Sequence, residues 1–158
     1  MEKEIVTNTS SLIFIGKLKL LDLLKNVFGR VLVPHEVVEE LLKKDSSEIL
    51  YLKNELGNFL KEVEVKKLQN FSLGKGENAA LSLCIEKNIN FFLSDDKKAR
   101  SYARSMKLET IGVLGIILEN LNKNKINKKD ARLLIDNLIK NGYYMTSGLY
   151  SEIIKLIG

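Results

Sequence analysis

The fold is decided by the stretch GKGENAALSLCIEKNINFFLSDDKKAR, residues 74–100, which predicts a helix, a strand and a second helix in succession. From residue 77 to about residue 87 the apolar residues recur at helical spacing, and Glu77 lies in line with that apolar stripe. Residues 89–93 are rich in Ile and Phe and are bounded by polar residues, which is typical of a strand buried on both faces.

Two acidic positions in this stretch, Glu77 and Asp95, are candidate ligands of a cation. Asp95 follows the end of the predicted strand, and in open α/β sheets ligands bind in the crevice beyond the carboxyl ends of the strands. Two carboxylates without a neutralising Arg or His beside them favour a divalent cation. Helix capping is the alternative, because Asp95 suits an N-cap and Glu77 suits the positive end of a helix dipole.

Composition predicts a single domain over residues 1–158 with a reducing, cytoplasmic setting. The one cysteine, Cys84, lies on a helical apolar face and is expected in the core, and it has no partner in the chain for a disulfide. We expect no signal peptide and no membrane partner, since the longest apolar stretch, residues 111–118, is too short to span a bilayer. The net charge of +5 is compatible with a polyanionic partner.

Strands alternate with helices along the rest of the chain, which predicts a mostly parallel sheet with helices on both faces. Asn8 ends the first predicted strand. Besides residues 89–93, strands are predicted at residues 4–8, 30–33, 63–67 and 109–111. Further helices are predicted at residues 12–15, 17–28, 35–44, 46–62, 112–120, 128–140 and 149–157. In the helix over residues 128–140, the side chains expected to face inward are Leu133, Leu134 and Leu138.

The helix HEVVEELLKK offers a further acid, but periodicity leaves its identity open. Glu36 faces away from the apolar stripe, whereas Glu39 and Glu40 lie on its two borders, and either could face a cleft. A solvated acidic edge is the alternative. His35 begins the same helix beside Pro34 and is expected at the surface, so a histidine general base is not favoured.

Several basic groups lie on or near one helix beyond Asp95: Lys97, Lys98, Arg100, Arg104 and Lys107. A solvated helix face is the usual explanation of such a run, but beside a metal site it would suit a phosphate backbone. The candidate nucleic-acid-binding residues are Lys97, Lys98, Arg100 and Arg104.

Four blocks of the sequence together resemble the PIN-domain nucleases, in the branch close to VapC-like toxins. The blocks are VTNTSSL, VPHEVVEEL, GKGENAALSLCIEKNINFFLSDD and TIGVLGIILE, and their order and spacing match along nearly the whole chain. The resemblance implies a three-layer α/β/α fold, one or two Mg²⁺ or Mn²⁺ ions, and hydrolysis of single-stranded or looped RNA. It also implies an antitoxin partner and a homodimer, to which Tyr150, Ile153 and Ile157 of the last helix could contribute unless they pack within the monomer.

Matched position by position, the resemblance implies which residues form the site. The catalytic and metal-binding set is Asn8, Glu40, Glu77 and Asp95, with Asp96 as an auxiliary acid. Thr9 or Ser10 resembles the hydroxyl that supports the first position.

The chain departs from the family pattern at Asn8, where the family has Asp. Asparagine keeps the shape of that side chain but carries no charge, so three ionised carboxylates give the site −3 where four would give −4. A Mg²⁺ site should be weaker as a result, because hard cations depend on anionic oxygen ligands.

The expected activity is metal-dependent phosphodiester hydrolysis of RNA by an endoribonuclease, as in the toxin of a toxin–antitoxin pair. Asn8 supports an alternative, a PIN fold that binds nucleic acid or a partner protein without cutting. A phosphoacceptor receiver domain is a weaker alternative, since only Asp95 and Asp96 favour it. GKGEN lacks the spacing of a phosphate-binding P-loop.

Overall fold

A five-stranded parallel sheet forms the centre of the protein in the computed structural model, which describes residues 3–158. The strand order is β3-β2-β1-β4-β5, and every neighbouring pair is parallel. The strands are β1 (Glu4–Thr7), β2 (Arg30–Pro34), β3 (Leu60–Val63), β4 (Phe91–Leu93) and β5 (Glu109–Ile111). The predicted mostly parallel sheet is confirmed.

Helices connect the strands and follow the last one. They are α1 (Thr9–Lys17), α2 (Leu21–Lys25), α3 (His35–Leu42), α4 (Ser47–Lys53), α5 (Lys75–Lys87), α6 (Lys97–Ser105), α7 (Val113–Asn122), α8 (Lys128–Lys140) and α9 (Ser147–Ile157). Among residues 3–158, none of these helices has the length and apolar character needed to cross a bilayer.

Successive strand residues point into two separate apolar clusters, one on each face of the sheet. Ile5 and Leu93 join the cluster formed with α1–α4 and α7–α9, whereas Val6 and Phe92 join the cluster formed with α5 and α6. This two-residue alternation buries each strand on both faces. The architecture is the predicted three-layer α/β/α arrangement, and Cys84 is buried in the second cluster as expected.

The direction of strand order reverses between β1 and β4. From β1 the chain proceeds through β2 to β3 on one side, and it then returns to place β4 and β5 on the other side. The backbone N–H of Asn8 donates to the carbonyl oxygen of Leu93 at 3.3 Å, so the carboxyl ends of β1 and β4 lie side by side. Such a switch point opens a crevice between the loops that leave the two strands.

Residues 64–74, here called the strap, run along the outer surface of α5. Three helix side chains spaced four residues apart accept backbone N–H groups of the strap: Asn78 from Phe71, Ser82 from Gln69, and Glu86 from Lys66 and Lys67, at 2.8–3.1 Å. The predicted edge strand at residues 63–67 is wrong in position: the strand ends at Val63, and the strap bonds to helix side chains.

The predicted helix over residues 46–62 is wrong in its second half. α4 ends at Lys53, and Gly57, at φ +92°, reverses the chain into β3. Its N–H donates to the carbonyl oxygen of Leu60 at 2.8 Å. Leu60 continues the helical spacing of the sequence, but it is buried as the strand residue that pairs with Val31.

Two other predicted helices also have different bounds. α1 continues through Gly16, where close packing against Leu52 leaves little room for a side chain: a Cβ would stand 2.9 Å from Leu52 Cδ1. Beyond it, Lys19 adopts φ +54°, so the helix predicted over residues 17–28 is reduced to the five residues of α2.

The buried stripe of α8 differs from the one predicted. Leu138 is buried as expected, but Leu133 is 59% exposed, and the core positions are completed by Ala131 and Ile135. In α9, Ile153 and Ile157 are buried within the monomer. They are therefore not surface residues available to a partner.

Alanine substitution should distinguish a buried from an exposed leucine of α8, Leu138 from Leu133. We expect Leu138→Ala to lower the free energy of unfolding by about 2–5 kcal/mol, because it leaves a cavity in the core. Leu133→Ala, at an exposed position, should change it by less than about 0.5 kcal/mol. Urea denaturation of both variants measures the difference, and equal losses would contradict the packing described.

Candidate active site

Asn8 lies at the switch point and has both ends of its side-chain amide engaged. It is 1% exposed and caps α1, with Oδ1 accepting the backbone N–H of Ser11 at 3.2 Å. Its Nδ2 donates to Ser94 Oγ at 2.9 Å, and the same oxygen accepts the backbone N–H of Asp96 at 3.1 Å. The amide thus ties the end of β1 to the segment that follows β4.

Glu40 is the border glutamate of α3 that faces the other site elements. Thr9 Oγ1 donates to Glu40 Oε1 at 3.0 Å, and both groups lie over Gly76, where a Cβ would collide with the carboxylate. Glu39, on the other border, lies near His35 at the surface, with 3.5 Å between Oε1 and Nε2. This geometry distinguishes two residues that periodicity could not.

Glu77 stands in the first turn of α5, beside the helix position that faces Glu40. Its carboxylate bends back toward the start of the helix, with Oε2 2.6 Å from where a Cβ on Gly74 would stand. A carboxylate here is favoured by the positive end of the helix dipole. Glu77 makes no capping hydrogen bond, since the N-cap of α5 is Gly74, so only the interaction with the helix dipole is left of the capping alternative.

Asp95 has hydrogen-bond donors on both carboxylate oxygens. Oδ2 accepts the Ser11 hydroxyl at 2.7 Å, and Oδ1 accepts the Tyr143 hydroxyl at 2.6 Å and the backbone N–H of Val113 at 3.2 Å. The backbone N–H of Asp95 donates in turn to Ser11 Oγ at 3.0 Å. Gly112 leaves room for this carboxylate, since a Cβ there would collide with Oδ1.

The N-cap of α6 is Asp96, so the prediction that Asp95 caps this helix is wrong. Asp96 Oδ2 accepts the backbone N–H of Ala99 at 2.8 Å. α6 begins at Lys97, so Asp96 is the residue directly before the helix. A side chain in that position reaches the backbone N–H of the third helical residue, which is Ala99.

The Tyr143 hydroxyl is a permanent donor at neutral pH. Burial and the negative charge of Asp95 raise the pKa of Tyr143 well above its ordinary value. The ring packs edge to face against Phe14, with 5.5 Å between centroids. Neither the spacing of Tyr143 in the sequence nor its sequence neighbours predict this role. The sequence does not predict Ser11 and Ser94 as site residues either, although both hydroxyls are buried there.

The four basic residues of α6 divide into different environments. Arg100 is half-buried, and its Nη1 donates to the carbonyl oxygen of Ser94 at 3.4 Å, whereas Lys98 Nζ donates to the carbonyl oxygen of Ser72 in the strap at 3.2 Å. Lys97 and Arg104 are exposed. Two of the four cations are thus engaged with backbone carbonyls. The carboxylates of Glu40, Glu77, Asp95 and Asp96, beyond the carboxyl ends of the strands, are here called the acidic edge.

The supporting hydroxyls are also distinguished by the structure. Thr9 contacts Glu40, whereas Ser10 is exposed. Ser11, one residue further, is buried between Asn8 and Asp95. The first turn of α1 therefore supplies hydroxyls to two different acids.

The donor set fits a hard divalent cation in chemistry, although the side chains do not converge on one point. Within residues 3–158, no three His, Cys, Asp or Glu side chains approach closely enough to hold a metal ion between them. Mg²⁺ commonly keeps several waters and uses only one or two carboxylates together with substrate phosphates. Carboxylate oxygens gathered at one edge of the sheet are compatible with that kind of site.

A parallel sheet with acidic side chains at its switch point is an α/β domain whose crevice suits a ligand. A family model described as a PIN domain (DUF3368) matches residues 4–158, and the chain belongs to that family. PIN domains are generally metal-dependent nucleases that act on nucleic acids. A comparison with curated proteins gives no match.

Solved structures of PIN proteins share the fold. The PIN domain endonuclease Utp24 superposes with a TM-score of 0.56 at 12% identity, over 70% of this chain and 84% of that one. A PilT N-terminus domain protein, SSO1118 from the hyperthermophilic archaeon Sulfolobus solfataricus P2, has a TM-score of 0.53 at 14% identity, over 90% of this chain and 99% of that one. At these identities the likeness concerns the fold.

Gly76→Ala should displace the Glu40 carboxylate from Thr9 without unfolding the protein. We expect the lost hydrogen bond, about 1 kcal/mol, to be offset by the better helix propensity of alanine, also about 1 kcal/mol. Gly148→Ala in α9 is the matched control, since its Cβ meets nothing within 4 Å.

Denaturation and a crystal structure of each variant test this expectation. Gly148→Ala should be the more stable of the two, and Glu40 should move only in Gly76→Ala. An unmoved Glu40 in Gly76→Ala would contradict the contact.

Proposed function

We propose that this protein is a divalent-metal-dependent endoribonuclease. The observation that carries the proposal is the arrangement of Glu40, Glu77 and Asp95, which come from α3, α5 and the end of β4 to the carboxyl edge of one sheet. Membership of the PIN family supports the nuclease class. RNA as the substrate follows from the sequence resemblance to VapC-like toxins.

The cation would be held by Glu40, Glu77 and Asp95, with Asp96 as an auxiliary acid and Asn8 as a neutral neighbour. When bound, Mg²⁺ or Mn²⁺ supplies Lewis-acid activation of water and charge neutralisation at the scissile phosphate. Thr9 orients Glu40, and hydroxyl donors orient Asp95, so that these carboxylates are preorganised. Both sets of donors are neutral and leave the negative charge in place.

The exposed cations of α6 would bind the RNA backbone beside the acidic edge. Lys97 and Arg104 are exposed, so their charges can meet phosphates without first breaking an internal contact. Lys98 would join them by exchanging its bond to the strap carbonyl for a phosphate oxygen. Arg100 is placed to act more through the backbone of Ser94 than through substrate.

A PIN fold that binds nucleic acid or protein without cutting is the second candidate function. It is favoured by Asn8, whose side-chain carbonyl oxygen already accepts the Ser11 N–H and whose side chain brings no charge to the site. The two functions differ in whether a cation and cleavage accompany binding.

We extend the first proposal to a biological role on the strength of the resemblance alone. In that role the protein is the cytoplasmic toxin of a toxin–antitoxin pair, inhibited by an antitoxin at the acidic edge and assembled as a homodimer. Co-expression with the neighbouring open reading frame and measurement of the complex mass test this role.

Cleavage of a structured RNA panel in Mn²⁺ tests the nuclease proposal. We expect Glu40→Gln to lower the cleavage rate on the order of 100-fold, because it removes an anionic ligand. Asn8→Asp should raise the rate several-fold, because a fourth carboxylate strengthens attraction of the cation. The Ser94 hydroxyl can rotate to donate to the new carboxylate.

Glu39→Gln is the control, since it makes the same chemical change one residue away at the surface. It should leave the rate unchanged. Equal cleavage rates for the unsubstituted protein, Glu40→Gln and Asn8→Asp would refute the nuclease proposal. If all three proteins still bound RNA, the proposal of a non-cutting binding module would be favoured.

Loss of two exposed cations should weaken RNA binding in a salt-dependent way. For Lys97→Gln combined with Arg104→Gln, we expect the slope of log affinity against log salt to fall by about 1.4, or about 0.7 for each of two phosphate contacts on single strands. Filter binding at several salt concentrations measures it.

The control pair is Lys128→Gln with Lys129→Gln, at the start of α8, which removes the same charge elsewhere. Slopes reduced equally by both pairs would show that only the net charge matters and that α6 is not the binding surface.

A further inference from the structure

The Asp95 carboxylate is held by elements far apart in the chain. Ser11 of α1 and Tyr143 between α8 and α9 lie 84 and 48 residues from it in sequence, and Val113 contributes the first N–H of α7. Ser11 both donates to Oδ2 and accepts from the Asp95 backbone N–H, which fixes the side chain relative to its own backbone. Rotation of this carboxylate would break several bonds at once.

The two oxygens of Asp95 are left with different capacities. A carboxylate oxygen has about two acceptor sites, and on Oδ1 these are used by the Tyr143 hydroxyl at 2.6 Å and the Val113 N–H at 3.2 Å. On Oδ2 the donors are the Ser11 hydroxyl at 2.7 Å and, at the longer distance of 3.4 Å, the same Val113 N–H, which is shared between the two oxygens. Because the shared N–H lies nearer Oδ1, Oδ2 is the oxygen whose second acceptor site is more weakly occupied.

Tyr143 is itself rigid. Its backbone N–H donates to the carbonyl oxygen of Leu138, directly after Gly142 turns the chain at φ +94°. Its ring is half-buried and packs against Phe14 of α1. The hydroxyl thus reaches Asp95 from a fixed position, which a donor on a mobile loop could not do.

We propose that Tyr143 is a positioning residue for Asp95: by occupying Oδ1 it turns Oδ2 toward the cation, and it makes the α8–α9 hairpin part of the metal site. The inference rests on the proposed function. The competing explanation is that the bond only fastens the hairpin to the sheet.

The chain supplies a matched control for that competing explanation. Tyr150 of α9 donates to Asp136 Oδ1 of α8 at 2.8 Å, which is another tyrosine–aspartate bond that fastens the hairpin. Tyr143→Phe and Tyr150→Phe each remove one hydroxyl and keep the ring. Only the first removes a donor from Asp95.

Binding of Mn²⁺ alone, measured by calorimetric titration and by Mn²⁺ electron paramagnetic resonance, tests the proposal without an activity assay. We expect Tyr143→Phe to weaken Mn²⁺ binding at least about tenfold, in the range seen when a partner behind a metal ligand is lost. Tyr150→Phe should bind Mn²⁺ as the original chain does. Thermal melts of both variants report any shared loss of stability.

Phe14→Leu is the second variant, because it keeps the hydroxyl and removes the ring that holds it. It should weaken Mn²⁺ binding in the same direction by a smaller factor. Unchanged Mn²⁺ affinity in Tyr143→Phe, or equal losses in Tyr143→Phe and Tyr150→Phe, would overturn the positioning role while leaving the metal site intact. No Mn²⁺ binding by the original chain would overturn the metal-dependent function, and the positioning role with it.

Discussion

The hydrogen bond from the Asn8 side chain to Ser94 joins the carboxyl ends of β1 and β4, where the strand order reverses. The geometry of the acidic edge depends on this bond. The bond is buried and joins residues 86 apart in sequence. On one side the same amide starts α1, and on the other the same hydroxyl receives the N–H of Asp96 before α6. A buried amide left without these partners would cost about 1–3 kcal/mol, so this arrangement is strongly specified.

The acids at this edge are held by neutral donors, and this determines what the edge can attract. Hydroxyl and backbone N–H groups orient the carboxylates of Glu40, Asp95 and Asp96 without cancelling their charge. The nearby Arg100 guanidinium donates to a carbonyl oxygen of the backbone. The salt bridges among residues 3–158 include none of these carboxylates, so their charges are not paired with a cation inside the protein.

The sequence alone predicts the layers of the fold correctly, but it does not predict where the chain turns or which face of each helix is buried. Local periodicity predicts the buried strands and the amphipathic helices. It fails at Gly57, which reverses the chain although the leucines on either side of it keep helical spacing. Leu133 is exposed because tertiary packing selects one of two adjacent apolar stripes. For the site, the family resemblance predicted a role for Glu40 and not for Glu39, and that role stays a prediction. Tyr143 carries no local signal in the sequence, because its partner is set by tertiary structure.

Tyr143 follows Asp95 by 48 residues in the sequence, and this spacing determines the order in which the donors to Asp95 can form during synthesis. A ribosome makes the polypeptide from its amino end, so β1, α3, α5 and β4 all exist before the α8–α9 hairpin does. Domains fold as units during synthesis, and the contacts that fix Asp95 span most of the chain. A growing chain thus carries Glu40, Glu77 and Asp95 before Tyr143 is made, and the full set of donors to Asp95 forms only once the α8–α9 hairpin is in place.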